Sequence, residues 1–241
     1  MSEPGLIVTI DGPAGTGKST VGRELAGRLG LEFLDTGAMY RAATALVLDQ
    51  GVEPADERAV ARIVEDAGIR FDWSVSPPTL IAQGAPMTDR LREADVAGLV
   101  STIAAQAPVR AVLVQRQREI GRLHPRLISE GRDQGSVVFP DAAVKIYLHA
   151  SPGVRAQRRA RQIAQAGRPA ELDQIERELI RRDELDSTRP VAPLVRAPGA
   201  IDADTSDLTF GEALDLLERI VREHAPAGSL AGAGASGGRD G

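Results

Sequence analysis

Residues 6–29 constrain this chain more than any other stretch. Leu6-Ile7-Val8-Thr9-Ile10 is an apolar, strand-like run, and Val21, Leu25, Ala26 and Leu29 then fall at i, i+4, i+5 and i+8, one face of a helix. Between them lies Gly12-Pro13-Ala14-Gly15-Thr16-Gly17-Lys18-Ser19-Thr20. The spacing G-x-x-x-x-G-K-[ST], flanked by strand and helix, is that of a phosphate-binding loop. Its glycines let successive N–H groups turn inward around phosphate oxygens, and the helix N-terminus adds unpaired donors and a favourable dipole. Lys18 is expected to reach the β- and γ-phosphates, and Ser19 to ligate Mg2+. Lysine here is a choice, since Lys18 and Lys145 are the only lysines among 29 basic residues. A compact ammonium on a thin stem fits where a planar guanidinium does not.

The rest of the composition narrows the class. A chain of 241 residues has length for a substantial core. Aromatics make up 3% of it, so that core must be aliphatic. A net charge of −5 and few stacking side chains argue against a nucleic-acid binder. The absence of cysteine excludes disulfides and thiolate chemistry. The absence of asparagine removes the Asn-Lys-x-Asp guanine reader of a nucleotide-gated switch. Neither a signal peptide nor an apolar run near the ~20 residues of a membrane helix is visible, so a cytoplasmic protein with no membrane partner is expected.

Strand patterns at 33–34, 127–129, 144–148 and 200–203 alternate with helical patterns at 37–50, 56–67, 91–106, 109–123, about 153–165, 171–186 and 210–223, which predicts a parallel sheet covered on both faces. Residues 69–73 and 79–82 are short strands set off by Pro77-Pro78 and Gly84, a small antiparallel insertion. Residues 225–241 are mostly Ala, Gly and Ser and are expected to be a disordered tail.

Arginines crowd the region 151–200, which holds ten. Arg155, Arg158 and Arg159 share one helical face ahead of a break at Gly167 and Pro169. Such a segment is suited to closing over a transferring phosphoryl group, which needs positive charge on its equatorial oxygens. Arg182, Asp186 and Arg189 are spaced i, i+4, i+7. They share a face if the helix runs that far, and otherwise are an ion pair at a helix end. Arg41 and Arg110 each open a helix and are compatible with surface charges. Asp133 follows a strand, where ligands of parallel sheets collect. Glu130 or Asp133 is the candidate to hold a water on Mg2+.

Four stretches together resemble the bacterial cytidylate kinase family. They are Ile10-Asp11-Gly12-Pro13 with the phosphate loop, Leu34-Asp35-Thr36-Gly37-Ala38-Met39-Tyr40-Arg41, Gly131-Arg132-Asp133-Gln134-Gly135-Ser136-Val137-Val138-Phe139-Pro140, and Arg182-Asp183-Glu184-Leu185-Asp186-Ser187-Thr188-Arg189. The likeness runs from about residue 5 to 224. It implies a P-loop NTPase-type α/β fold. A parallel five-stranded sheet is covered by helices, with a three-stranded antiparallel insertion in the monophosphate-binding domain and a short lid. One kinase domain would span 1–224. Its core would be about 5–36, 124–152 and 190–224, its monophosphate-binding part about 37–123, and its lid about 155–170. The implied activity is ATP-dependent phosphorylation of CMP and dCMP by a monomer. By position, Ser101, Arg110 and Asp133 would hold cytosine, and Arg182 and Asp186 the pentose. Thr36, Arg41, Arg132 and Arg189 would hold the acceptor phosphate. Arg155, Arg158 and Arg159 would belong to the lid. Cytosine offers an amine donor where uracil has a carbonyl, so Asp133 would accept the one and reject the other.

Overall fold

Two strands buried almost end to end form the middle of the molecule. The computed structural model describes residues 4–165, 167 and 169–230. In chain order the elements are β1 (Leu6–Asp11), α1 (Lys18–Leu29), β2 (Glu32–Asp35), α2 (Thr36–Asp49), α3 (Glu57–Asp66), β3 (Arg70–Asp72), β4 (Thr79–Ala82) and β5 (Ala85–Pro86). Then come α4 (Ala94–Ala105), α5 (Ala107–Leu123), β6 (Arg126–Gly131), β7 (Val144–His149), α6 (Pro152–Gln165), α7 (Leu172–Thr188), β8 (Ile201–Asp204) and α8 (Phe210–His224). The main sheet has the order β2-β6-β1-β7-β8, all parallel, and β3-β4-β5 form a separate antiparallel sheet.

Hydrophobic content explains the layers. Val8, Ile10, Ile128, Ile146 and Leu148 pack against Leu25 and Leu29 of α1 and Leu214 and Leu217 of α8. On the opposite side Leu34, Met39, Val60, Phe71, Leu80, Ile103, Leu113 and Leu127 join α2, α3, α4, α5 and the small sheet. A third, small cluster of Ala14, Ala156, Ile175 and Leu179 seats the phosphate loop on α6 and α7. The core is aliphatic, as the scarcity of aromatics requires. Trp73 stacks on His124 with ring centroids 4.1 Å apart, tying the small sheet to the rim of the main one.

The differences from the sequence expectation are local. The two helices predicted on either side of Pro108 are present, but Pro108 belongs to the second of them and not to the break. It stands in the first turn of α5, where a missing N–H costs nothing, and α4 and α5 meet there at 93°. Helix α7 runs through Asp186 to Thr188, so Arg182 and Asp186 do share a helix, with Arg189 as its C-cap. The stretch after β6 closes as a π-helical turn over Gln134–Val138, which no periodicity announces. Within the expected tail, Arg126 donates to Ser229 O at 2.8 Å and Leu230 packs on the core of α1 and α8. Residues 231–241 lie outside the described residues. No single helix among those described is long and apolar enough to cross a membrane.

Candidate active site

The parallel sheet brings three chain segments together where β1, β2 and β6 end. Register pairs Asp11 with Gly131 and Asp35 with Glu130. Thus the phosphate loop, the start of α2 and the turn carrying Arg132 and Asp133 emerge side by side, at the kind of strand-end crevice where open α/β sheets bind ligands. Asp11 binds two of these segments together, accepting from Gln134 N at 2.8 Å and Gly135 N at 2.7 Å. Burial pushes its carboxyl up to about 6, against the pull of those two amides.

Gly12 must be glycine. Its φ is +153°, and a Cβ there would lie 2.0 Å from Leu148 O in the neighbouring strand. Gly17 caps α1 at φ +90° with no side-chain hydrogen bond, and the first turn holds no acidic residue. The N-terminal amides of α1 therefore keep their capacity for an anion. Lys18 is buried and donates to Pro13 O at 2.6 Å and Thr16 Oγ1 at 3.3 Å. Burial, with Arg132 close by, pushes its amine down to about 7.

Ser19 Oγ donates to Glu130 Oε1 at 2.7 Å. Glu130 faces the Asp35 carboxylate, and burial together with that neighbour pushes it up to about 7. Of the two candidates for a metal water, Glu130 stands beside Ser19, whereas Asp133 is turned to Arg110. A hydroxyl and two carboxylates make an oxygen donor set of the kind Mg2+ takes through its waters. Among the described residues no three His, Asp or Glu side chains cluster to hold a metal alone. The set therefore fits a metal carried largely by substrate phosphates and not one caged by protein.

Across from Lys18 the arginines converge. Arg41 pairs with Asp35 at 2.9 Å, and Arg132 with Asp186 at 2.8 Å. Arg189 Nε donates to Ala192 O at 2.7 Å. Arg182 lies near Arg132 and Arg41, and burial followed by those charges pushes it down to about 10. Arg182 Nε and Arg189 Nη2 are buried with no partner inside the protein. Against burial, Arg132 and Arg182 hold the Asp186 carboxyl below its usual range. Like charges packed together with unspent donors favour a polyanion.

Arg110 and Asp133 are both buried and form an ion pair, with the Arg110 guanidinium 5.6 Å from the Tyr40 ring centroid. Ser101 lies half-buried on α4, the helix leading into the corner before Arg110.

Three of the residues the resemblance placed in the site also have partners inside the protein. Thr36 Oγ1 spends its proton on Glu130 O at 2.7 Å, because a buried hydroxyl takes the nearest unpaired carbonyl at a strand end. Arg155 is buried and turned to Ala14 O, Ala150 O and Asp183, so it braces the phosphate loop. Arg158 donates to Thr205 O at 2.6 Å, Thr205 Oγ1 at 3.1 Å and Thr16 O at 3.3 Å, joining α6 to the loop after β8. Arg159, on the same helix, is half-buried and donates to Gln162 at 3.4 Å. Sequence reasoning assigned no role to Asp11, Asp35, Tyr40 or Asp183. All four lie inside the quoted motifs; Asp11, Tyr40 and Asp183 meet partners distant in sequence, while Asp35 pairs locally with Arg41 and caps α2 through Ala38 N.

Comparison with known proteins agrees with this geometry. Residues 8–223 match the cytidylate kinase family model. The cytidylate kinase of Corynebacterium efficiens is 44% identical over 225 residues, covering 93% of this chain and 98% of the relative. A bifunctional pantoate ligase/cytidylate kinase of Synechocystis sp. is 44% identical over 221 residues, and there the match covers 90% of this chain but 43% of the relative's length. The shikimate kinase of Bacteroides thetaiotaomicron is 14% identical with a TM-score of 0.46, covering 90% of this chain and 98% of that one. With its phosphate loop, its arginine cluster and the match over 8–223, the chain belongs to the cytidylate kinase family, enzymes that phosphorylate CMP to CDP.

Proposed function

We propose that this chain transfers the γ-phosphoryl group of ATP to CMP and dCMP in line, yielding ADP with CDP or dCDP. A phosphate oxygen of the monophosphate attacks the γ-phosphorus while the bond to the β,γ-bridging oxygen breaks. The acceptor is already an anion, so no general base is needed. Lys18 and the N-terminal amides of α1 hold the β- and γ-phosphates. Arg41, Arg132 and Arg189 hold the acceptor phosphate, and Arg182 and Asp186 the pentose. Bound Mg2+ would neutralise charge on the β- and γ-oxygens, and Ser19 with Glu130 and Asp35 is the set that would hold it and its waters. Asp133, steadied by Arg110, retains lone pairs for the cytosine amine, and Ser101 and Arg110 face the carbonyl. Thr36 fixes the end of β6 beside the acceptor phosphate, and α6 brings the lid arginines Arg155, Arg158 and Arg159 toward the transferring group. The proposed active form is a monomer, the state that the family resemblance implies.

The observation that carries this reading is the convergence of Lys18 with Arg132 and Arg182 around unspent buried donors. Purified protein should form ADP from ATP only when CMP or dCMP is supplied. Lys18→Met should lower kcat by about a thousandfold, the scale of losing one preorganised charge contact in the transition state. Undiminished turnover by that variant would refute the role given to Lys18.

A further inference from the structure

Both backbone groups of Ala14, the residue before the crest of the phosphate loop, are held from the same side. Its N–H donates to Asp183 Oδ1 at 2.9 Å, and its carbonyl accepts from Arg155 Nη1 at 2.9 Å. The Asp183 and Arg155 side chains pair with each other, closing a ring of three residues. Ala14 is buried, Arg155 is buried, and a Cβ on Gly15 would lie 3.3 Å from both Arg155 Cβ and a Leu179 methyl. The loop therefore rests directly on α6 and α7.

The consequence runs through one peptide plane. The Ala14 N–H and the Pro13 carbonyl belong to the same rigid amide. Fixing the first fixes the second, and Pro13 O is what Lys18 Nζ donates to at 2.6 Å. We propose that Asp183 is a positioning residue for phosphoryl transfer, setting the direction of the Pro13–Ala14 peptide and through it the placement of Lys18. This rests on the reading of the site as an ATP-using kinase and adds a residue that touches neither nucleotide. It makes α7 serve both substrates. Arg182 and Asp186 face the acceptor, while Asp183, the residue after Arg182, turns to the donor loop.

The two demands on Asp183 are separable. The side-chain carbonyl in Asp183→Asn would still accept the Ala14 N–H bond but would lose the charge facing Arg155, whereas Asp183→Ala loses both. Asp183→Ala is expected to lower kcat/KM for ATP by about a hundredfold, the scale of misplacing a reacting group by about 1 Å. Asp183→Asn should recover at least about tenfold of that loss. CMP binding in the absence of ATP, measured by calorimetry, should stay within about threefold of wild type in both variants, since Asp183 hydrogen-bonds to Ala14 N and pairs with Arg155, and touches Arg132 and Arg182 only through its charge. A merely structural role would weaken both substrates together and would not separate the two variants. The proposal is overturned if Asp183→Ala keeps wild-type kcat/KM for ATP, if Asp183→Asn is no better than Asp183→Ala, or if CMP binding falls in step. Should Asp183→Ala not fold, Asp183→Ser, too short to reach the amide, is compared with Asp183→Asn under the same criteria. Wild-type protein in the same assay separates the two levels. If it forms no ADP with CMP, the kinase reading fails. If it does and the variants match it, only the role of Asp183 fails.

Discussion

Lys18 and Glu130 show how burial prepares the site for charge. Each is brought to about 7, the amine from above and the carboxyl from below, because both are removed from water beside Arg132 and Asp35 respectively. A folded pKa near 7 means that at pH 8 the Lys18 amine is mostly neutral in the free protein. A triphosphate against it favours the ammonium, so binding must draw a proton from solution. Metal-free ATP binding at pH 8, measured calorimetrically in buffers of different ionisation heat, should show proton uptake, with apparent enthalpy rising with buffer ionisation heat. A flat dependence would mean that Lys18 is already protonated before ATP arrives. At pH 6, below the folded pKa, the uptake should shrink.

Helices and turns were legible where their signal is local. The phosphate loop needed only nine consecutive residues and their flanks, and the small antiparallel sheet was announced by Pro77-Pro78 and Gly84. The π-helical turn over Gln134–Val138 was not legible, because its shape comes from Asp11, 123 residues away, holding Gln134 N. Periodicity put Arg155, Arg158 and Arg159 on one helix correctly, yet could not say that Arg155 also meets Ala14 O and Arg158 also meets Thr205 O. The same turn supplies a test of packing. A Cβ on Gly121 of α5 would lie 2.5 Å from Phe139 Cε1, whose ring anchors the end of the turn. Gly121→Ala should cost about 1–3 kcal/mol of stability through overpacking. Gly98→Ala, on an exposed part of α4 with open space around it, should be neutral or stabilise by up to about 1 kcal/mol. Thermal unfolding of both variants, read against wild type, should show a clear loss for the first and none for the second. Equal shifts would show that the approach of α5 to Phe139 is not tight.

On the scale of the whole molecule, the sheet order does the organising. With β1 between β6 and β7, the phosphate loop and the turn carrying Arg132 and Asp133 leave from adjacent strands, and α7 returns to touch both. The family and its fold were legible from four short motifs. The division of labour along α7 was not, because Ala14 and Asp183 are 169 residues apart. What the arrangement must do is distinguish a base that donates at its exocyclic position from one that accepts there. The Arg110–Asp133 pair is buried, so an acceptor brought against Asp133 would leave a desolvated carboxylate facing a carbonyl. The most direct test is kcat/KM for CMP, dCMP, UMP and AMP measured side by side with saturating ATP. CMP and dCMP should exceed UMP and AMP by at least about a hundredfold, the discrimination expected when a buried polar group is left unpaired. Equal turnover of UMP and CMP would contradict the account.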